Sequence, residues 1–410
     1  MAKPEIRLRG FEGEWKNTPL YECLTISNER NSSNEFKKEN VLSVSDDFGI
    51  INQIKHLGRS YAGKDISNYK IVRPSQIVYT KSPLRAKPYG IIKNNVIETG
   101  IVSVLYAVYN VTKEVCSEFV NWYFTPSYRT NNYLLPLINK GAKNTINVTD
   151  EMALQGSIII PKKEEQLAIA DFFKSLDSMI QGVTKKIASL KQMKQACLVS
   201  MFPQEGETTP RVRFKGFKGE WEKKILNDCL DISHEKNLDN RYGKNDVLSV
   251  SDDCGVMNQI ELLGRSYAGK SVSNYGVLNN GEIVYTKSPL KSKPYGIVKM
   301  NTGKTGIVSV LYAIYVAKEN TSTGFIHYYF DPAWRLNAYL LPLVNKGAKN
   351  TMNISDEMAL TGYIMIPKDI REQQKIATYF TSLDKQISLQ EARLEKLKQI
   401  KSACLDKMFV

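Results

Sequence analysis

The sequence predicts a mixed α/β protein in which two similar globular domains are separated by two long helices that pair with each other. Two observations carry this reading. An internal repeat spans almost the whole chain, and inside each copy short β-branched runs give way to a sustained heptad. RLRGFEGEW (Arg7 to Trp15) recurs as RFKGFKGEW (Arg213 to Trp221), and the second copy then follows at a constant offset of 206 as far as Ile160. Val41 to Lys64 keeps 19 of 24 residues in Val247 to Lys270, and Leu134 to Leu154 keeps 17 of 21 in Leu340 to Leu360. One residue is inserted between Ile366 and Glu372, so the offset is 207 from there on. The expected organisation is domain 1–162, helix 163–203, domain 204–368, helix 369–410.

Inside the first domain Val41 to Val44, Ile77 to Thr80, Gly100 to Tyr109 and Ser157 to Ile160 read as strands, as do their partners near 247, 283, 306 and 363. Helical stretches are expected around Ser117 to Phe124 and Tyr128 to Leu137. The polar stretch from Pro203 to Arg211 has no periodicity and reads as a linker, with the second domain beginning near Pro210.

The helices are the most regular element. Ile169, Phe173, Leu176, Ile180, Val183, Ile187 and Leu190 are spaced 4,3,4,3,4,3, a coiled-coil seam that continues through Lys194, Cys197 and Met201 until Pro203 ends it. Ile376, Phe380, Leu383, Ile387, Gln390, Leu394, Leu397, Lys401, Cys404 and Met408 repeat it slot for slot. A short seam buries little alone, and two of equal length are satisfied by pairing. A 38-residue helix is roughly 57 Å long at about 1.5 Å per residue, long enough to hold two domains apart. Lys194 and Lys401 either fix the register or snorkel at an open end.

A chain of 410 residues with 42% hydrophobic content can bury more than one core. The longest nearly apolar run, Ile101 to Val111, is too short to span a bilayer, and the N-terminus carries no apolar signal segment, so a cytoplasmic location with no membrane partner is expected. Six cysteines without CxxC spacing read as thiols in a reducing compartment, and no metal site is expected. The net charge of +14 points to a polyanion. The lysines are mixed with tyrosines and asparagines and do not line an amphipathic helix, which favours nucleic acid over a membrane surface.

Enzyme chemistry finds little support. Gly303, Lys304 and Thr305 end like a phosphate loop, but Val298 stands where its first glycine belongs, and the first copy reads Ile97, Glu98, Thr99 before Gly100. Asp331, Pro332, Ala333, Trp334 resembles the tetrapeptide with which amino-methyltransferases grip their target amine, yet the first copy has Thr125, Pro126, Ser127, Tyr128 and no glycine-rich cofactor loop accompanies either. His56, His234 and His327 fall at unrelated repeat positions, so no histidine triad is duplicated. Asp46, Asp47 and Asp252, Asp253 read as turns after a strand.

Three doubled loops have the composition that DNA contact requires, cations for phosphate and hydroxyls or guanidinium groups for base edges. The first is GRSYAGK, with Arg59, Ser60, Tyr61, Lys64 and Arg265, Ser266, Tyr267, Lys270. The second is YTKSPLxxKPYGI, with Tyr79, Lys81, Arg85, Lys87, Tyr89 and Tyr285, Lys287, Lys291, Lys293, Tyr295. The third is NKGAKNTxN, with Lys140, Lys143, Asn144 and Lys346, Lys349, Asn350. Double-stranded DNA is the expected partner.

PRVRFKGFKGEWEKKIL opening a domain, an isoleucine-rich strand closing it at IPK before EEQ (Glu164 to Gln166) or REQQ (Arg371 to Gln374), then IAxxFxSLD and a long helix ending in MF, together resemble the specificity subunit of type I restriction-modification enzymes over the whole chain. The resemblance implies two target-recognition domains held apart by two helices packed antiparallel, each domain reading one half of an interrupted site. It also implies two modification subunits docked on the helices for adenine-N6 methylation, with restriction subunits for ATP-dependent cleavage. The chain itself would then be non-catalytic, with S-adenosylmethionine, ATP and Mg in the partners. The two recognition domains of that family ordinarily differ, whereas here they are nearly alike. A self-sufficient methyltransferase or nuclease, or a coiled-coil adaptor, are the alternatives.

Overall fold

A computed structural model describes residues 3–81, 84–140, 146–287, 289–346 and 352–410. It divides by compactness into 1–184 with 392–410, and 185–391. Each unit holds one globular domain and one stretch of each long helix, so the linear division expected from the sequence assigns to the helices segments that complete the domain cores.

In the first unit a four-stranded antiparallel sheet runs in the order Leu24–Ile26, Ala107–Val111, Ile77–Tyr79, Ile92–Asn94. Alternation along its central strand decides the layers. Ile77 and Tyr79 face the main core with Trp15, Phe119, Phe124 and Phe173, while Val78 and Val108 face a smaller layer with Leu42, Ile50, Val72 and Val102. That second layer is the hairpin Leu42–Ser45 with Gly49–Asn52 and the pair Lys70–Val72 with Gly100–Val102. The run expected as one strand from Gly100 to Tyr109 is two strands. Between them Tyr106 N–H donates to the Ser103 carbonyl at 3.0 Å and Leu105 N–H to the Ser103 hydroxyl at 3.3 Å, a serine-built turn with no glycine or proline to announce it. Helices Ser117–Tyr123 and Ser127–Leu134 fall where expected. The second unit repeats this plan with the sheet Leu230–Ile232, Ala313–Ala317, Ile283–Tyr285, Val298–Met300.

The domain ends close on each other and launch the helix. Lys16–Pro19 pairs antiparallel with Ser157–Ile160, and Glu222–Ile225 with Tyr363–Ile366. Arg7 then holds Glu165 through two hydrogen bonds of 2.8 and 2.7 Å, and Arg213 holds Glu372 likewise at 2.7 and 2.8 Å. Next to each glutamate, Gln166 and Gln373 are buried and cap backbone groups of the domain, among them the N–H of Cys116 and of Ser322. The arginine of the opening motif and the EEQ or REQQ of the helix start are therefore one clamp in each copy.

The long helices run Lys163–Ser200 and Ile370–Lys407, each 38 residues. In the first unit Phe173 stacks on Phe409 at 5.9 Å and Lys401 Nζ lies 2.6 Å from Asp177. In the second, Lys191 pairs with Glu391, Lys194 with Asp384 and Cys197 with Tyr379, partners that descend as the first helix ascends. The packing is antiparallel within each unit. Ile169, Phe173, Leu176, Val183, Ile187, Leu190, Ile376, Phe380, Leu383 and Ile387 are buried, and Ile180, Leu394 and Leu397 partly so. Each helix end is gripped by a buried arginine: Arg129 donates to the Leu405 carbonyl and Arg335 to the Leu198 carbonyl, both at 3.1 Å. No helix among the described residues is long and apolar enough to cross a membrane.

Candidate nucleic-acid interface

GRSYAGK forms an arch launched from a single turn of helix, Gln53–Leu57, that stops at Gly58 in the left-handed conformation. Gln53 organises it. Its Oε1 accepts the Tyr61 N–H at 2.6 Å and the Ser60 hydroxyl at 3.3 Å, while its Nε2 donates to Ser43 at 2.9 Å. Ser60 is spent inside the arch, against the expectation that it faces DNA. What remains outward is Arg59, stacked over the Tyr61 ring at 4.6 Å, the ring itself, 59% exposed, and Lys64. The second copy builds the same arch on Gln259 and Gly264, with Ser266 turned inward and Arg265 over Tyr267 at 4.6 Å beside exposed Lys270. A guanidinium laid on an aromatic ring is already oriented, so less rotamer freedom is lost when it meets a phosphate or a base edge.

The second doubled segment is mostly core, which corrects four expected contacts. Tyr79 and Tyr285 are buried in the central strand, and each hydroxyl donates to a carbonyl, Tyr89 or Tyr295, at 2.6 Å. Lys87 and Lys293 are 0% and 2% exposed. Lys87 Nζ reaches Asp46 at 2.6 Å and the Thr125 carbonyl at 2.9 Å, and Lys293 reaches Asp252 and the Asp331 carbonyl at 2.6 and 2.8 Å. Their ammoniums cannot reach phosphate; they neutralise Asp46 and Asp252, the first acid of each pair that read as a turn. Tyr89 and Tyr295 are partly buried, and Arg85 and Lys291 are the exposed cations of this segment.

Lys81 and Lys287 sit at φ +54° and +55°, a conformation that costs a non-glycine residue about 1 kcal/mol or more. Both are held by an ion pair. Lys81 bonds Asp150 at 2.5 Å, with Lys70 on the other carboxylate oxygen at 2.6 Å, and Lys287 bonds Asp356. Burial would raise the Asp150 carboxyl, but the two lysines outweigh it and hold it below the usual range. Gly90 is obligatory beside this bend, because a Cβ there would fall 2.8 Å from the Tyr79 ring and 3.0 Å from the Lys81 nitrogen.

In the third segment Asn139–Lys140 pairs with Ile146–Asn147 and Asn345–Lys346 with Met352–Asn353. Lys143, Asn144, Lys349 and Asn350 lie outside the described residues, as do the side chains of Lys140 and Lys346. Among the described residues no group of acidic, cysteine or histidine side chains is arranged to hold a metal.

The residues that composition did not reveal are the partners: Gln53, Asp150, Lys93 and Asp177 with their counterparts Gln259, Asp356, Lys299 and Asp384. Lys93 and Lys299 could have been found, since both interrupt apolar strands, IIKN and IVKM, at one repeat position.

The chain thus holds two globular α/β domains, each with an outward basic and aromatic arch and each tied to the same pair of long helices. Residues 218–399 match the family described as "Type I restriction modification DNA specificity domain", and the 206-residue repeat carries the same plan into the first half. The second half of the chain carries a type I restriction-modification DNA specificity domain. In fold the whole chain is similar to the type I S subunit from M. genitalium, at TM-score 0.54 and 10% identity over 100% of this chain and 99% of that one. It is also similar to the HsdS subunit from Thermoanaerobacter tengcongensis, at TM-score 0.46, 15% identity and 97% of each chain. No curated protein matches it in sequence.

Proposed function

We propose that the chain is the DNA-reading, non-catalytic subunit of a type I restriction-modification complex. Each domain reads one half of an interrupted site, and the paired helices set the gap. The helices also dock two modification subunits, which methylate adenine at N6, and the assembly recruits restriction subunits for ATP-dependent cleavage. S-adenosylmethionine, ATP and Mg are assigned to those partner chains. The observation that supports this reading most directly is the doubled arch, in which Arg59, Tyr61 and Lys64, and again Arg265, Tyr267 and Lys270, are presented outward on a scaffold fixed by one glutamine. Mapping N6-methyladenine across the genome of cells carrying the complete operon tests it: two short sequences at a constant separation are expected, and they should vanish when this chain is deleted. Saturable binding of labelled S-adenosylmethionine by the isolated chain would replace this reading with that of a self-sufficient methyltransferase.

A further inference from the structure

One of the positions at which the two copies differ changes a carboxylate that sits between two ammoniums. In the second domain three lysines meet three carboxylates. Lys293 bonds Asp252 at 2.6 Å; Lys299 lies 3.3 Å from Asp252 and 2.8 Å from Asp331; Lys194 lies 3.1 Å from Asp331 and 2.8 Å from Asp384. The first domain keeps all three lysines, Lys87, Lys93 and Lys401, but only two of the carboxylates. Asp46 and Asp177 match Asp252 and Asp384, while Thr125 stands in the place of Asp331.

The equivalence is geometric as well as sequential. Lys87 donates to the Thr125 carbonyl just as Lys293 donates to that of Asp331. Thr125 cannot replace the missing acid, because it is neutral and its hydroxyl donates to the Asn121 carbonyl at 2.8 Å. Lys93 is left with its side chain 7% exposed and one anionic partner among the described residues, Asp46 at 3.4 Å, through an oxygen that Lys87 already holds at 2.6 Å. A buried ammonium without a short hydrogen bond and with an unbalanced charge is costly. Burial, with Lys87 next, lowers the Lys93 pKa, and Lys401 adds to this. Thr125, Asn121, Lys401 and Asp46 around it are all partly exposed.

We propose that the first domain carries a binding site for one small monoanion, a halide or a carboxylate, held by Lys93 and Lys401 where the second domain holds the side chain of Asp331. The second domain shows the ligation the site would reproduce, one carboxylate between two ammoniums.

The test is anomalous diffraction from crystals of the full chain soaked in sodium bromide, with a second soak in which excess sodium acetate competes. The native chain should show a bromide peak between the Lys93 and Lys401 ammoniums, weakened by acetate. Thr125→Asp, which restores the internal carboxylate, should abolish it, and Asp331→Thr should create a matching peak between Lys299 and Lys194. An ordered water at Lys93 with no bromide, or a bromide that persists in Thr125→Asp, overturns the proposal. Should Asp331→Thr fail to fold, the disappearance of the peak in Thr125→Asp decides alone.

Discussion

Lys194 Nζ lies 2.8 Å from the Asp384 carboxylate, and at the equivalent repeat positions Lys401 Nζ lies 2.6 Å from Asp177. The lysines that interrupt the apolar seam are therefore ion-paired across the two helices, each to the aspartate of the SLD triplet, and do not simply snorkel. An ion pair at a seam position fixes register, because sliding either helix by a turn separates the charges. The two pairs differ in setting. Lys194 is 15% exposed and also meets Asp331, and its pKa is raised against the effect of burial by Asp331 and Asp384, whereas Lys401 is 25% exposed and lies over the Trp122 ring. Replacing Lys194 with Met should therefore cost about 2 kcal/mol, since it takes one ammonium from each of two acids, leaving Asp331 to Lys299 and Asp384 to the Tyr328 hydroxyl. Lys401→Met should cost about 1 kcal/mol or less. Urea midpoints of the two variants check the order.

DNA affinity should fall steeply with salt, but through the arches. Arg59→Ala with Lys64→Ala, or Arg265→Ala with Lys270→Ala, should flatten the plot of log affinity against log salt by about 0.9 for each phosphate that is no longer neutralised. Lys87→Ala and Lys293→Ala should leave that slope alone and lower stability by about 2 kcal/mol, because each removes the short ammonium bond of an acid, Asp46 or Asp252, and leaves the carbonyl oxygens that the ammonium holds without it. A slope unchanged in the arch variants would remove the arches from the DNA.

His327 is partly buried beside Lys299, Lys194 and Lys293, with Asp331 opposing them, and desolvation first, then those ammoniums, pushes its pKa down to about 3. Its Nδ1 finds no hydrogen-bond partner among the described residues. The folded form thus refuses a proton that the unfolded chain accepts near pH ~6.5. Stability from this group is complete above about pH 6.5 and is lost as pH falls from there towards about 3, at about 1.4 kcal/mol per unit. His327→Asn, the residue that the first domain has as Asn121, should remove the part of the decline between about pH 6.5 and 5, where ordinary carboxylates are still ionised. Denaturation midpoints across that window measure it.

Four residues inserted after Ile187 lengthen the first helix by about one turn, roughly 6 Å, close to two base pairs at about 3.4 Å each. The gap between half-sites should grow while the half-site bases stay the same. A methylome in which the bases change instead would show that the helices do more than measure distance.

The helices are legible because a heptad is a property of local spacing: every apolar seam residue from Ile169 to Leu397 is fully or partly buried, and placing them needs no knowledge of the partner beyond its existence. The arches are half legible. Arg59, Tyr61 and Lys64 face outward as composition requires, but Lys87 and Tyr79 sit in a segment of the same composition and face inward. What separates them is Asp46, 41 residues from Lys87, and a strand position that alternation over three residues cannot fix. Arg7 and Glu165 stand in the sequence as letters of two separate motifs, and their 158-residue separation hides that they touch.

The two half-sites should be nearly the same sequence read on opposite strands. Arg59, Tyr61 and Lys64 recur as Arg265, Tyr267 and Lys270 on arches of matching geometry, so the side chains available for base contact are doubled, and a doubled reader matches a site with two-fold symmetry. Among the positions that differ and are exposed are Lys55 against Glu261, Arg85 against Lys291 and Ala86 against Ser292; the exchange of Arg85 for Lys291 can change bidentate reading of guanine. The same logic reaches half of the chain. In the first unit the core is completed by Leu405, Met408 and Phe409 from the end of the second helix, with Arg129 on the Leu405 carbonyl. Residues 1–209 carry Leu198, Met201 and Phe202 at the matching positions, 207 earlier, so two such halves can each insert a helix end into the other's domain. Residues 1–209 should form a dimer by light scattering, should fall to monomers on Phe202→Ala, and with the modification subunit should direct methylation to a palindrome. A half-chain that stays monomeric would sink the exchange of helix ends, and a methylome with two unrelated half-sites for the full chain would move base reading to the divergent segments 28–40 and 234–246.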